Sequence, residues 1–147
     1  MEIDSRKRVD IKPLKTIFYR NWNLDTCHPL LRHDWSIHSP AVGQSDVTAL
    51  VIRAIFGGKI VVCRVNLLEH FWNILPCEQK IDLINWLHQL KKTQERRSRH
   101  IKVWEILSQG SDDKYSIYLR FLILYPKILK ALDEFSEDSK VCIPPNF

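Results

Sequence analysis

Three polar side chains of the types used in acyl-transfer chemistry follow one another along the chain, at Ser45, His70 and Asp82. Ser45 stands between a loop containing Pro and Gly and an apolar run with helical spacing, so we expect it at the N-terminus of a helix. Amide groups at such a terminus favour a developing oxyanion. His70 and Asp82 are predicted on neighbouring antiparallel strands, side by side. A nucleophile, a base and a group that orients the base form the general arrangement for covalent catalysis.

Four further residues are predicted to shape this site. Gly43 and Gln44 come directly before the serine, and Trp72 and Asn73 come shortly after the histidine. The serine backbone amide is the more natural oxyanion donor. The Gln44 side chain either assists that amide or only shapes the loop. Trp72 is expected to form a wall or part of the core, and Asn73 to hydrogen-bond a turn or the site.

Each catalytic residue also has a purely structural interpretation. Ser45 could cap the helix and do nothing else, because serine is a favoured N-cap. His70 could be a half-buried histidine of the sheet, and Asp82 could cap a following helix. The residue types and their spacing leave both interpretations open.

Helical and strand patterns alternate in the first half of the chain. A Gly57-Gly58 pair is expected to end the helix that Ser45 begins. We predict a helix capped by Asp10 with Pro13 in its first turn, an irregular segment over 23–44, a helix over 45–56, and strands over 59–65, 70–75 and 81–83.

The second half reads as mainly helical. We predict a helix from Ile84, a short helix around residues 103–107, and a helix from Ser111 that is broken or kinked at Pro126. Apolar residues expected on the core face of that last helix are Tyr115, Tyr118, Leu119 and Leu122, continued beyond Pro126 by Ile128, Leu129 and Leu132. The tail from Ser136 is expected to be extended. The predicted fold is a single α+β domain over 1–147, with a core over about 10–135 and peripheral segments 1–9 and 136–147.

Composition excludes several protein classes. The chain has 147 residues, 45% of them hydrophobic and 27% charged, as in an ordinary globular domain. It has no apolar run of membrane-spanning length and no secretory signal. Its four cysteines form no CxxC pair, which disfavours a zinc site and a disulfide framework and favours a reducing cytoplasm. His and Cys residues in 23–44 match no metal-binding spacing, so neither a metal nor a cofactor is predicted.

A basic cluster over 91–99 supplies part of the net charge of +5. Such a cluster could bind nucleic acid. Glu95 interrupts it, however, and no aromatic residues alternate with the cations. We therefore treat nucleic-acid binding as a secondary alternative, and the sequence indicates no oligomeric state.

Several short motifs together resemble the small bacterial YunG-like proteins. The motifs are Trp22, Thr26, Trp35, Pro40-Ala41-Val42-Gly43-Gln44-Ser45-Asp46-Val47-Thr48-Ala49, Gly57-Gly58, His70-Phe71-Trp72-Asn73, Ile81-Asp82-Leu83, Ile106-Leu107 and Lys114-Tyr115. They extend over roughly residues 20 to 122. The same order of nucleophile, His and Asp is that of papain-like and transglutaminase-like cysteine enzymes. This resemblance implies a nucleophile helix on a small antiparallel sheet with additional C-terminal helices, and acyl transfer from a protein, peptide or small amide without a cofactor.

Two residues depart from the family pattern. Ser45 stands where the family has Cys, and Ile84 stands where it has Thr. An alcohol depends on its base far more than a thiol does, so a site shaped for sulfur should be slow or inactive with oxygen. Ser45 could be a deliberate inactivating substitution, the mark of a natural pseudoenzyme, or a true serine nucleophile. We favour the first because the other site residues are intact. A catalytically dead binding module is the main alternative function.

Overall fold

A computed structural model describes residues 4, 6–65, 68–84, 97–108 and 116–138. The helices are α1 (Ile11–Asn21), α2 (Ser45–Phe56), α3 (Val103–Leu107) and α4 (Ile117–Asp138), with 3-10 turns at Leu24–Thr26 and Pro29–Asp34. The strands are β1 (Lys59–Val65), β2 (Leu68–Ile74), β3 (Lys80–Ile81) and β4 (Arg99–Ile101). The predicted α+β class is confirmed.

The strands form one antiparallel sheet in the order β3-β2-β1-β4. Val62 pairs with Phe71, and the next pair along the ladder is Cys63 with His70. Because side chains alternate across a strand, these two pairs project from opposite sides. The helix-side face carries Val62 and Phe71 and packs in the main core with the helices. The far face carries Val61, Cys63, His70 and Trp72, and its apolar members form a second, smaller cluster.

Helix α2 lies at the centre of the main core. Its residues from Asp46 to Ile52 are all buried, and it contacts β2, β1 and α4. Gly57 ends the helix with a φ of 78°, in the left-handed region that glycine adopts readily. The predictions for the helix over 45–56 and the strand over 59–65 are therefore confirmed.

Two predicted strands are present with other ends. The strand predicted over 70–75 lies at Leu68–Ile74, and the strand predicted over 81–83 lies at Lys80–Ile81. Two predictions about the last helix are wrong: the tail is not extended from Ser136, because α4 continues to Asp138, and Pro126 does not break α4, which runs through it. Strand β4 was not predicted.

The predicted core face of the last helix is confirmed beyond Pro126 by the buried Ile128 and Leu132 and is wrong before it, while Tyr115 lies outside the described residues. Its apolar residues at Tyr118, Leu119 and Leu122 are exposed, at 52%, 37% and 46%. The buried positions of α4 are Ile117, Arg120, Leu124, Ile128 and Leu132. The helix continues through Pro126 because the buried Leu124 and Ile128 hold it in the core on either side of the proline. The predicted helix over 84–90 and the predicted start at Ser111 fall outside the described residues, apart from Ile84. No helix in the described part of the chain has the length and apolar character needed to cross a membrane.

Candidate active site

A buried pair of His70 and Asp82 lies on the far face of the sheet. The His70 Nε2 and Asp82 Oδ2 atoms are 2.9 Å apart, and the two side chains are 5% and 4% exposed. A carboxylate that accepts this hydrogen bond requires the proton on Nε2, and in that tautomer of a neutral imidazole the acceptor is Nδ1. The structure thus brings together His70 and Asp82, two of the three residues predicted for the site.

Asp82 has a second structural task. It lies one residue beyond β3, and its Oδ1 accepts a hydrogen bond from the Ile84 N–H at 3.2 Å. One carboxylate oxygen therefore bonds the imidazole and the other bonds the backbone that follows. The same side chain therefore bonds both the His70 ring and the turn after β3, and its orienting role in catalysis stays a prediction.

Trp72 packs against the imidazole. Its ring centroid is 5.9 Å from that of His70, and the planes are inclined by 24°. Trp72 is 3% exposed and belongs to the apolar cluster of the far face. The indole therefore restricts the ring on one side while Asp82 holds its Nε2 edge. This contact agrees with the prediction that Trp72 forms a wall.

Ser45 is the first residue of α2 and not its cap. Gln44 takes the N-cap position with φ −104° and ψ −2°, without a capping side-chain hydrogen bond. The Ser45 hydroxyl instead accepts a hydrogen bond from the Phe71 N–H at 3.3 Å. The simple capping interpretation of Ser45 is therefore wrong. Along the chain, the backbone N–H groups nearest to this hydroxyl are those of the first turn of α2.

The Ser45 hydroxyl lies beside the backbone of His70, at the edge of β2. The Phe71 amide nitrogen is joined covalently to His70, so Ser45 Oγ lies within about 6 Å of the His70 Cα. Among the described residues, Ser45 Oγ bonds that amide and makes no hydrogen bond to the ring. The ring projects from the far face, whereas α2 packs on the helix side. The structure therefore joins two members of the predicted triad directly and places the third beside the backbone of His70.

The loop before Ser45 is held by buried polar contacts. The fully buried Gln44 amide accepts from Thr26 Oγ1 at 2.8 Å and donates to the Asn23 carbonyl at 3.0 Å. Both ends of this side chain are thus used within the loop, which supports the shaping role over oxyanion donation. Gly43 has a φ of 71°, and a Cβ there would lie 2.5 Å from Cys27 Sγ.

Asn73 ties β2 to the nucleophile helix. Its Nδ2 donates to the Ala49 carbonyl at 3.0 Å, and the side chain is buried. Asn73 shares the helix-side face with Phe71 because side chains alternate along β2. The bond fixes the strand that carries the imidazole against the helix that carries Ser45.

The sequence analysis missed a buried ion pair next to the site. Arg120 of α4 forms a two-pronged contact with Asp46, with Nη1–Oδ1 and Nη2–Oδ2 distances of 2.9 and 2.7 Å. Both residues are nearly inaccessible, at 2% and 8% exposure. Arg120 Nη1 also lies 3.4 Å from the Thr26 carbonyl. An arginine within the apolar run 117–124 was the available signal, because an arginine on a buried helix face needs a partner.

The buried native thiols are not activated. Burial raises the pKa of Cys27 to about 11, and burial also raises the pKa of Cys63. Both thiols are therefore protonated near neutral pH. Within the described ranges, no three His, Cys, Asp or Glu residues are grouped so that they could hold a metal ion.

Comparison with known proteins gives a family without an assigned activity. The YunG protein family matches residues 10–120. An uncharacterized protein, YunG of Bacillus subtilis (strain 168), is 44% identical over 52 residues, which cover 30% of this chain and 45% of that protein. The chain therefore spans less than half the length of this curated relative. No solved structure matches the chain.

Proposed function

This chain belongs to the YunG family, and from that premise we propose that its fold serves a cysteine-type acyl transfer with residue 45 at the nucleophile position. The proposed core is papain-like or transglutaminase-like, and the substrate is an amide of a protein, a peptide or a small molecule. The observation that carries the proposal is the buried hydrogen bond between His70 and Asp82, beside the start of a buried helix. Burying a titratable pair is costly, which makes it a candidate for function.

The proposed reaction uses a thiol at position 45. The His70 Nδ1 removes the thiol proton, and the sulfur attacks the amide carbonyl to form a C–S bond. The amide of residue 45 stabilises the oxyanion. His70 then gives its proton to the nitrogen as the C–N bond breaks, and water or an amine releases the acyl group. Asp82 keeps the ring oriented throughout.

Ser45 makes the present chain slow or inactive in this scheme. Its hydroxyl has almost no anionic fraction at neutral pH and depends wholly on the base. We favour an inactivating Cys-to-Ser substitution. The two alternatives, a natural pseudoenzyme and a true serine nucleophile, predict different results in the acylation experiment described next.

The test is acylation of a Ser45→Cys protein by p-nitrophenyl acetate. We expect one acetyl group to be added at position 45, as read by intact mass and peptide mapping. His70→Gln in the same background should slow this acylation by about 100-fold, because general-base assistance is lost. Glutamine can still donate to Asp82, so the variant does not leave a buried carboxylate unpaired.

The unmodified chain is the matched control for the nucleophile. We expect no acylation at Ser45 on the same timescale. Acylation of Ser45 itself would show a true serine nucleophile. If the introduced thiol acylates at the same rate with His70→Gln, the proposed catalytic unit is wrong.

A binding module without catalysis is the second candidate. The hydrogen bond from the Phe71 amide to the Ser45 hydroxyl favours this candidate, because it gives the hydroxyl a structural role. In that case the Ser45→Cys protein should show no reactive centre. The nucleic-acid alternative stays a prediction, since residues 91–96 lie outside the described part and the Arg99 guanidinium is 3.4 Å from Glu105.

A further inference from the structure

The carboxylate of Asp46 lies next to the proposed nucleophile position. Asp46 is the second residue of α2, and its Oδ1 accepts a hydrogen bond from the Val47 N–H at 2.7 Å. An acidic residue in the first turn suits the positive end of a helix. Because consecutive Cα atoms are about 3.8 Å apart, this carboxylate lies within about 10 Å of the end of the residue 45 side chain. A negative charge at that distance opposes the formation of an anion at position 45.

Arg120 of α4 carries the opposite charge at the same place. Its guanidinium donates to both carboxylate oxygens of Asp46, at 2.9 and 2.7 Å, and the arginine side chain is 3% exposed. Because this ion pair is shielded from water, its charges act on neighbouring groups with little screening by salt. At position 45 the two charges act in opposite directions, so the pair together leaves a smaller field there than either charge alone.

Arg120 also contacts both segments that flank residue 45. Its Nη1 lies 3.4 Å from the Thr26 carbonyl, and the Thr26 hydroxyl donates to the Gln44 side-chain oxygen at 2.8 Å. Gln44 comes directly before residue 45, and Asp46 comes directly after it. One arginine therefore holds the helix after position 45 directly and the loop before it through Thr26.

Two titratable side chains of this loop already respond to both charges. Gly43 lies against Cys27, and its carbonyl accepts from the His28 N–H at 2.8 Å. Burial is the main cause that raises the pKa of Cys27 to about 11, and beyond burial Asp46 raises this pKa while Arg120 lowers it. Burial lowers the pKa of His28, on which Asp46 and Arg120 again act in opposite directions. The field of the ion pair therefore extends to the loop that presents residue 45.

We propose that Arg120 is a positioning residue for the nucleophile, and that it cancels the field of the Asp46 carboxylate at position 45. The catalytic use of this balance rests on the function proposed above, whereas the balance of charges does not. From β2, the titratable residue whose backbone adjoins position 45 is His70. His70 is proposed to act by proton transfer, whereas the ion pair acts from the α4 side through its field.

The test measures the pKa of the thiol in the full chain carrying Ser45→Cys, Cys77→Ala and Cys142→Ala, from the pH dependence of alkylation by iodoacetamide. Asp46→Asn removes the negative charge and keeps the shape of the side chain, so it should lower this pKa by about 0.5–1. Arg120→Met removes the positive charge and should raise the pKa by about 0.5–1.

The opposite signs separate the field from a loss of structure. Both variants disturb the same ion pair, so structural disturbance alone would move the thiol pKa in the same direction, toward about 8.5. A lowered pKa in Asp46→Asn therefore requires the field, even where Arg120→Met does not fold. Arg120→Lys keeps the charge without the two-pronged contact, and its thiol pKa should stay within about 0.3 of the parent value.

Lys130→Met is the matched control on α4, because it removes the same charge from a side chain that is 79% exposed. It should change the thiol pKa by less than about 0.2. The proposal is wrong if Asp46→Asn leaves the pKa unchanged, if both charge-removing variants shift it with the same sign, or if Lys130→Met shifts it as much as Arg120→Met. A pKa that is unaffected by His70→Gln would contradict the proposed function and leave these shifts in place, so the two proposals can fail separately.

Discussion

At the scale of single residues, Gly43 shows how closely the loop before Ser45 is packed. Its φ of 71° lies in the left-handed region, and a Cβ would lie 2.5 Å from Cys27 Sγ and 3.0 Å from the His28 nitrogen. Backbone conformation and lack of space therefore both require glycine here. The loop that presents residue 45 has little freedom to accept other side chains.

Gly43→Ala should lower the free energy of unfolding by about 2–4 kcal/mol, through strain in the left-handed region and overpacking. Gly57→Ala is the matched control, because Gly57 has a φ of 78° and its Cβ would meet only the Pro76 Cγ, at 3.7 Å. The control should lose about 1–3 kcal/mol, from backbone strain alone, and less than Gly43→Ala. Chemical denaturation measures both values. Equal losses would show that contact with Cys27 adds nothing.

The predicted strand order gave good guidance on which side chains of the sheet meet, and residue types gave poor guidance on the partners of the loop residues. His70 and Asp82 were predicted side by side, and the structure places them 2.9 Å apart. Ser45 was also offered as a cap, but its hydroxyl accepts from a strand amide 26 residues away in sequence. The Gln44 side chain likewise bonds residues that are distant in the sequence, Thr26 and Asn23. Such partners depend on tertiary packing and cannot be predicted from the local sequence.

At the scale of elements, the ion pair between Asp46 and Arg120 joins the first turn of α2 to α4. Its two hydrogen bonds of 2.9 and 2.7 Å lie one residue from Ser45. The pair therefore holds the first turn of α2 against α4. A buried pair gives little net stability compared with apolar residues, but losing one partner leaves an uncompensated charge.

Arg120→Met should reduce the free energy of unfolding by about 3–5 kcal/mol, because Asp46 would be left buried and unpaired. Lys130→Met provides the control on the same helix. Lys130 is 4.0 Å from Glu134 at an exposed i,i+4 position, so its loss should cost under about 0.5 kcal/mol. Adding Asp46→Leu to Arg120→Met should recover much of the stability. No recovery in the double variant would contradict the account of an unpaired charge.

The predictability of each element followed the clarity of its pattern. Helix α2 and strand β1 were predicted with their observed ends because a Gly-Gly pair separates a helical stripe from a β-branched run. In α4 before Pro126, apolar residues lie all around the helix and Arg120 occupies a buried position, so the sequence pointed to the wrong face there, whereas Ile128 and Leu132 are buried as predicted. Strand β4 has three residues and was hidden within a basic run. Its pairing with β1 at Ile60–Val62 comes from the sheet and not from local propensity.

At the scale of the whole molecule, one antiparallel sheet separates two environments. The helix side holds the main core and Ser45, while the far face holds the pair of His70 and Asp82 beside Trp72. The two environments meet at the edge of β2, where the Phe71 amide donates to the Ser45 hydroxyl. The family assignment and the α+β class agree with the sequence motifs. The placement of Ser45 and the His70 ring on either side of this edge could be known only from the three-dimensional structure.

The central claim is that residue 45 and His70 act as one chemical unit across that edge. The pKa of the thiol introduced by Ser45→Cys tests it most directly, from the pH dependence of alkylation by iodoacetamide. Cys77→Ala and Cys142→Ala simplify the background, and the raised pKa values of Cys27 and Cys63 keep those thiols slow near neutral pH. We predict a thiol pKa below about 7.5, returning to about 8.5 when His70→Gln is added. A pKa near 8.5 in both proteins would contradict the account.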